Sequence, residues 1–134
     1  MILHVDTSFV VDLFRERRSA PGPATSLLDR HLADELQMSL FVACELHVGA
    51  ARADDPETEA LRVRDTCVTI PVVTPGEQLA EIYGRLLAAL QRAGETIATM
   101  DLLIGGTALL AGAPLITRNR RHFERIPGLR VVSY

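Results

Sequence analysis

The opening of the chain constrains its fold most. A short apolar run, Ile2 to Val5, stops at Asp6, and Thr7, Ser8 and a second apolar stretch from Phe9 follow at once. A run of that length and composition reads as a buried strand. An acid at the carboxyl end of a strand, just ahead of a helix, stands where open α/β sheets bind their ligands. Desolvating a lone carboxylate costs several kcal/mol, so one placed there needs a cation or strong donors beside it. Asp6 taken alone also suits a helix cap, accepting backbone N–H groups. The remaining acids decide between the two.

Residues 2–5 are expected to form the first strand, and Thr7 or Ser8 to cap a helix running to about Phe14. Arg15–Gly22 is polar and turn-prone. Pro23 suits the first turn of a helix that carries Leu27, Leu28 and Leu32 and ends near Asp34. Gln37–Leu40 reads as a weak strand, Phe41–Ala51 as a helix, and Asp54-Asp55-Pro56 as the start of a helix to about Cys67. The β-branched segment Val68–Val73 reads as a strand. Pro75 and Glu77 open a long helix whose stripe is Leu79, Ile82, Tyr83, Leu86, Leu87 and Leu90, closed by Ala93-Gly94. Thr99 is expected to cap a helix over Met100–Ala111, ended by Gly112. Leu115–Thr117 then reads as a short buried strand, Asn119–Phe123 as a polar loop or short helix, and Val131–Ser133 as a last strand after the Pro127-Gly128 turn. Strands alternating with helices imply an α/β fold, a three-layer α/β/α sandwich around a mostly parallel sheet.

A length of 134 residues suits a single domain, 1–134, and 48% hydrophobic residues excludes a disordered chain. No apolar run reaches the length of a membrane helix and the N-terminus lacks a basic region and cleavage site, so a cytoplasmic protein is expected. Cys44 and Cys67 lack metal-ligand spacing and read as reduced, packed thiols. The net charge of −3 argues against indiscriminate nucleic-acid binding. The distribution is less uniform: all fourteen basic residues are Arg, with one cluster at Arg15, Arg17 and Arg18 and another at Arg118, Arg120, Arg121 and Arg125. Arg is the better bidentate phosphate ligand.

Three acids lie among apolar or small neighbours: Asp6 after the first strand, Glu45 within Val42-Ala43-Cys44-Glu45-Leu46, and Asp101 in the first turn of Met100–Ala111. Elements ordered in this way converge on one sheet edge. Converging carboxylates raise one another's pKa unless a cation neutralises them. Hard oxygen donors with no Cys or His cluster favour Mg²⁺ or Mn²⁺. That donor set suits metal-assisted phosphodiester cleavage. His4, His31, His47 and His122 are scattered and read as surface or structural residues.

These residues resemble the PIN-domain ribonucleases of the VapC type, the toxin half of bacterial toxin–antitoxin pairs. The resemblance rests on Val5-Asp6-Thr7-Ser8, on Cys44-Glu45-Leu46 with Gly49, on Met100-Asp101-Leu102-Leu103-Ile104, on Leu115-Ile116-Thr117-Arg118-Asn119, and on Phe123 to Leu129. It implies a Mg²⁺-dependent endoribonuclease, with Mn²⁺ as the alternative ion, in which Asp6, Glu45 and Asp101 form the metal site. Ser8 and Thr117 would touch metal waters or substrate phosphate, and Asn119 would position the attacking water from a place where many relatives carry an acid. His122 stands where relatives often have Asp. Arg118, Arg120 and Arg121 would grip flanking phosphates. The implied partners are unpaired RNA, a small VapB-type antitoxin that lays a segment across the site, and a second copy in a homodimer. Leu27–Leu32 and Val42–Val48 are read as core rather than as surfaces for those partners. Two other readings stay open: a small metal-dependent phosphohydrolase with Asp6 as nucleophile, and a non-catalytic binding module of the same fold.

Overall fold

The computed structural model describes residues 1–134. Its five strands are β1 (Ile2–Val5), β2 (Glu35–Ser39), β3 (Val72–Val73), β4 (Leu115–Ile116) and β5 (Val131–Val132). The helices are α1 (Thr7–Arg18), α2 (Pro23–Arg30), α3 (Leu40–Ala51), α4 (Pro56–Thr69), α5 (Gln78–Arg92), α6 (Thr99–Leu110) and the single turn α7 (Arg120–Phe123). The strands form one parallel sheet in the order β3-β2-β1-β4-β5, with β1 in the middle. Val5 lies opposite Met38 on one side and Ile116 on the other.

Strand order determines where a ligand goes. From β1 the chain winds outward through β2 to β3, then crosses back to β4 and winds the other way to β5. Right-handed crossovers therefore cover one face with the helices of the first half and the other face with those of the second. The direction reverses between β1 and β4, and the crevice beyond the carboxyl ends of those two strands is the switch point of the sheet. Asp6 follows β1 there and Thr117 follows β4.

The core is continuous across both faces. Leu3, Val5, Phe9, Val10, Met38, Val42, Ala108 and Leu115 are all fully buried. Gly105 allows close packing inside it, because a Cβ there would come within 2.4 Å of Ile126 Cδ1. Gly112 takes φ +65° after α6, a conformation that a side chain disfavours, and turns the chain into β4.

Several expected boundaries moved. Helix α1 runs through the polar stretch to Arg18 because Glu16 reaches over to α2, accepting the backbone N–H groups of Gly22, Ala24 and Thr25. Gly22, the capping residue of α2, has no side chain to do this itself. Helix α2 stops at Arg30, and Leu32, expected on its stripe, sits 78% exposed in the following turn. The strand expected over Val68–Val73 shrinks to Val72–Val73: α4 continues to Thr69, leaving Val68 82% exposed. Helix continuation overrode β-propensity there. Asp6, not Thr7 or Ser8, caps α1, and Ala98, not Thr99, stands at the cap of α6. The two hydroxyls near Asp6 are engaged elsewhere.

Candidate active site

Asp6 is buried and fully engaged. Its Oδ1 accepts the Thr7 backbone N–H at 2.7 Å, while Oδ2 accepts the Ser8 hydroxyl at 2.9 Å and the Thr117 hydroxyl at 2.7 Å. The last of these bonds spans the switch point from β1 to β4. The segment after β4 is stitched to the same group: Arg118 N–H donates to Ser8 Oγ at 3.2 Å, and Asn119 N–H to Thr117 Oγ1 at 2.9 Å. Every donor to Asp6 is neutral. No Arg, Lys or His lies within ion-pair distance of it.

Glu45 enters from α3, whose N-terminus is held by Ser39 accepting the Val42 N–H. The Thr7 hydroxyl donates to Glu45 Oε1 at 2.6 Å, so one short segment, Asp6-Thr7, fixes both acids. Glu45 Oε2 takes no hydrogen bond from the protein. Asp101, in the first turn of α6, is 21% exposed and has His122 Nδ1 at 3.4 Å from its Oδ2. Burial and the negative charge of Asp6 push its pKa up, and the His122 contact pulls it part of the way back. The charge of Asp6 is thus felt at Asp101.

The sequence-based candidates are therefore brought together unevenly. Asp6, Ser8, Thr117 and Glu45 are tied into one network, Asp101 feels the charge of Asp6, and Asn119 joins through its backbone while its side chain stays exposed. No three His, Cys, Asp or Glu groups form a closed cluster able to hold an ion by themselves. Arg118 is not a free cation, since its Nη1 donates to Asp12 Oδ1 at 2.7 Å. Arg120 pairs with Glu124, and Arg121 is exposed without a partner. Of the histidines, His4 is buried, His31 bonds Asp34 at 2.8 Å and His47 is exposed, but His122 stands in the crevice.

Sequence reasoning missed three participants, Thr7, Asp12 and Tyr134, and noted His122 at a site position while reading it as surface or structural. Asp12 did leave a signal, because it follows Phe9 by three residues and precedes Leu13 on the buried face of α1, where a charge is out of place. Thr7 and Tyr134 left none, as their roles depend on partners far along the chain.

Comparison with known proteins places this architecture. The family model for the PIN domain matches residues 3–129. This chain belongs to the PIN-domain family. Within it, the chain is 31% identical over 130 residues to ribonuclease VapC1 of Haemophilus influenzae, covering 97% of this chain and 96% of that one. It is 32% identical over 126 residues to ribonuclease VapC19 of Mycobacterium tuberculosis, covering 94% and 95%. Among solved structures, DNA-bound VapBC from Salmonella typhimurium superposes with a TM-score of 0.88 at 26% identity, covering 99% of this chain and 98% of the other. The expected α/β sandwich and the VapC-type resemblance are both borne out. No helix is long and apolar enough to cross a membrane.

Proposed function

We propose that this PIN-domain protein, an endoribonuclease of the VapC toxin class, hydrolyses RNA phosphodiester bonds in the crevice between β1 and β4. One observation carries the assignment of the site. Asp6 is buried with only neutral donors on its carboxylate, and its charge is felt at Asp101, whose carboxylate has one protein partner, His122. Mg²⁺ characteristically takes one or two carboxylates and keeps its remaining positions for water and phosphate oxygens. The absence of a closed protein cage is therefore compatible with it, and hard carboxylate donors suit Mg²⁺, with Mn²⁺ as the alternative. Asp6 and Asp101 would hold the ion, and Glu45 would reach it through water. When bound, such an ion lowers the pKa of water and neutralises charge on the phosphate.

The chain's own groups do the rest. Thr7 fixes Glu45 by its Oε1, leaving Oε2 to accept a proton from the attacking water. The water oxygen bonds to phosphorus in line as the bond to the 3′-oxygen breaks, leaving a 3′-hydroxyl and a 5′-phosphate. Asn119 orients the water through its carboxamide. Ser8 and Thr117 keep Asp6 in place by donating their hydroxyls to its Oδ2. Unpaired RNA suits a recessed site of this kind, because a flexible strand can present its phosphodiester there. A VapB-type antitoxin covering the crevice, and a homodimer, complete the proposed assembly.

Labelled total RNA incubated with the purified protein, with Mg²⁺ or with chelator, tests this reading. The wild type should cut only with metal, and Asp6→Ala and Asp101→Ala should not cut. Folded, antitoxin-free protein that cuts nothing in Mg²⁺, or in Mn²⁺ put in its place, would overturn it in favour of a binding module.

A further inference from the structure

A second acid on α1, outside the crevice, gathers cations rather than repelling its own kind. Asp12 is 2% exposed, yet it sits among groups that reach the surface. Its Oδ1 forms an ion pair with Arg15 Nη2 at 2.7 Å and accepts a hydrogen bond from Arg118 Nη1 at 2.7 Å. Its Oδ2 accepts the Tyr134 hydroxyl at 2.7 Å, and the Tyr134 ring packs edge-on against Phe9 with centroids 5.4 Å apart. Two guanidinium groups that share one oxygen lie within twice that bond length of each other. Both remain open to solvent, at 60% for Arg15 and 50% for Arg118. The trio carries a net positive charge, one carboxylate against two guanidinium groups.

Its position connects it to the crevice. The backbone N–H of Arg118 donates to Ser8 Oγ, which in turn donates to Asp6 Oδ2. Arg118 follows Thr117 directly, so its side chain ties the Asp12 cluster to the segment that closes on Asp6. Each uses one nitrogen on Asp12 and keeps the rest of its planar donor fork for an anion.

We propose that Asp12, clamped by Tyr134, preorganises Arg15 and Arg118 as a twin-guanidinium site for a backbone phosphate of the RNA next to the one cleaved. Asp12 is a positioning residue here, and the two arginines are the contacts. The proposal rests on the ribonuclease reading above and adds a phosphate subsite and a residue that builds it. It also separates two physical effects by sign. If only net charge mattered, Asp12→Asn would make the cluster more positive and tighten RNA binding. If preorganisation matters, the same change frees both guanidiniums and weakens it.

The test is binding of a labelled single-stranded RNA oligonucleotide, in chelator so that it stays intact, across a potassium chloride series, paired with steady-state cleavage in Mg²⁺. Arg15→Ala and Arg118→Ala should each weaken binding about tenfold, raising KM with little change in kcat. Each should also lower the slope of log affinity against log salt by about 0.7, the contribution of one phosphate on a single strand. Asp12→Asn should weaken binding several-fold despite its added positive charge, and Tyr134→Phe, which keeps the ring packing, should follow in the same direction by less. Combining Asp12→Asn with Arg118→Ala should cost less than the two effects added together. Unchanged salt slopes in the arginine variants, or tighter binding by folded Asp12→Asn, would overturn the subsite while leaving the ribonuclease reading intact. A wild type that neither binds nor cuts RNA would overturn both.

Discussion

Asp6 and Asp12 lie on the same short stretch of chain, both are buried, and both have their carboxylate oxygens occupied, yet their surroundings differ in kind. Asp12 is surrounded by two arginines and a tyrosine hydroxyl, so its charge is balanced within the protein. Asp6 receives two hydroxyls and one amide, all neutral, and its charge is felt at another acid. Neutral donors offset desolvation but cancel no charge. The protein completes one carboxylate site with its own cations and leaves the other short of positive charge. A site left short in this way is what the proposed cation would complete.

The contrast can be broken most sharply at Asp101. Asp101→Asn should reduce RNA cleavage by about a hundredfold or more, the scale expected when a preorganised charge is removed from an active site. It should also abolish the rise in thermal midpoint on adding Mg²⁺ or Mn²⁺. Asp12→Ala should act on folding instead. It leaves the half-buried Tyr134 hydroxyl without its acceptor and releases Arg15 and Arg118, costing about 1–3 kcal/mol in urea unfolding with an unchanged m-value.

The same Asp101→Asn substitution should move stability in the opposite direction when metal is absent. The folded pKa of Asp101 lies above its ordinary 3.8, so its ionisation counts against the folded state. Stability is fully present below 3.8 and lost as pH rises through the folded value, so at neutral pH the charge is a burden. In chelator, Asn there should stabilise the protein by up to about 1 kcal/mol, the range for a partly exposed charge. Equal or lower stability for this variant would remove the strain from the comparison. Such a gain in stability at the expense of activity is what an active-site charge predicts.

The smallest effect concerns His4, in the central strand. Both ring nitrogens are buried without a hydrogen-bond partner, and burial lowers its pKa. The unfolded chain takes up this proton as pH falls through 6.5 while the folded chain still resists, so stability should decline below pH 6.5 until the folded value is passed. His4→Leu should flatten that part of the stability profile. A slope that survives the substitution would assign it to other groups.

Local sequence determined a good deal about this protein. The apolar run ending at Asp6, the helix start at Asp55-Pro56, the Leu stripe of α5 and the strand–helix alternation all act within a few residues, so periodicity and turn chemistry reveal them. The three acids were legible for a related reason: charges among apolar neighbours signal themselves. Helix ends were less legible, because distant groups decided them. The long α1 is held at its end by Glu16 reaching to α2, and α4 extends over residues whose composition favours a strand.

Tertiary structure alone decided how the charges are paired. The parallel sheet sets β4 beside β1, and that one adjacency joins Thr117 to Asp6 across 111 residues and Arg118 to Asp12 across 106. It also turns an arginine expected to be free into one arm of a pair, and brings His122 to Asp101. Composition determines how many charges the chain carries and periodicity determines which face they lie on. Which charge meets which follows from strand order, since a Coulomb or hydrogen-bond partner must lie within a few ångströms in space, whatever its distance along the chain.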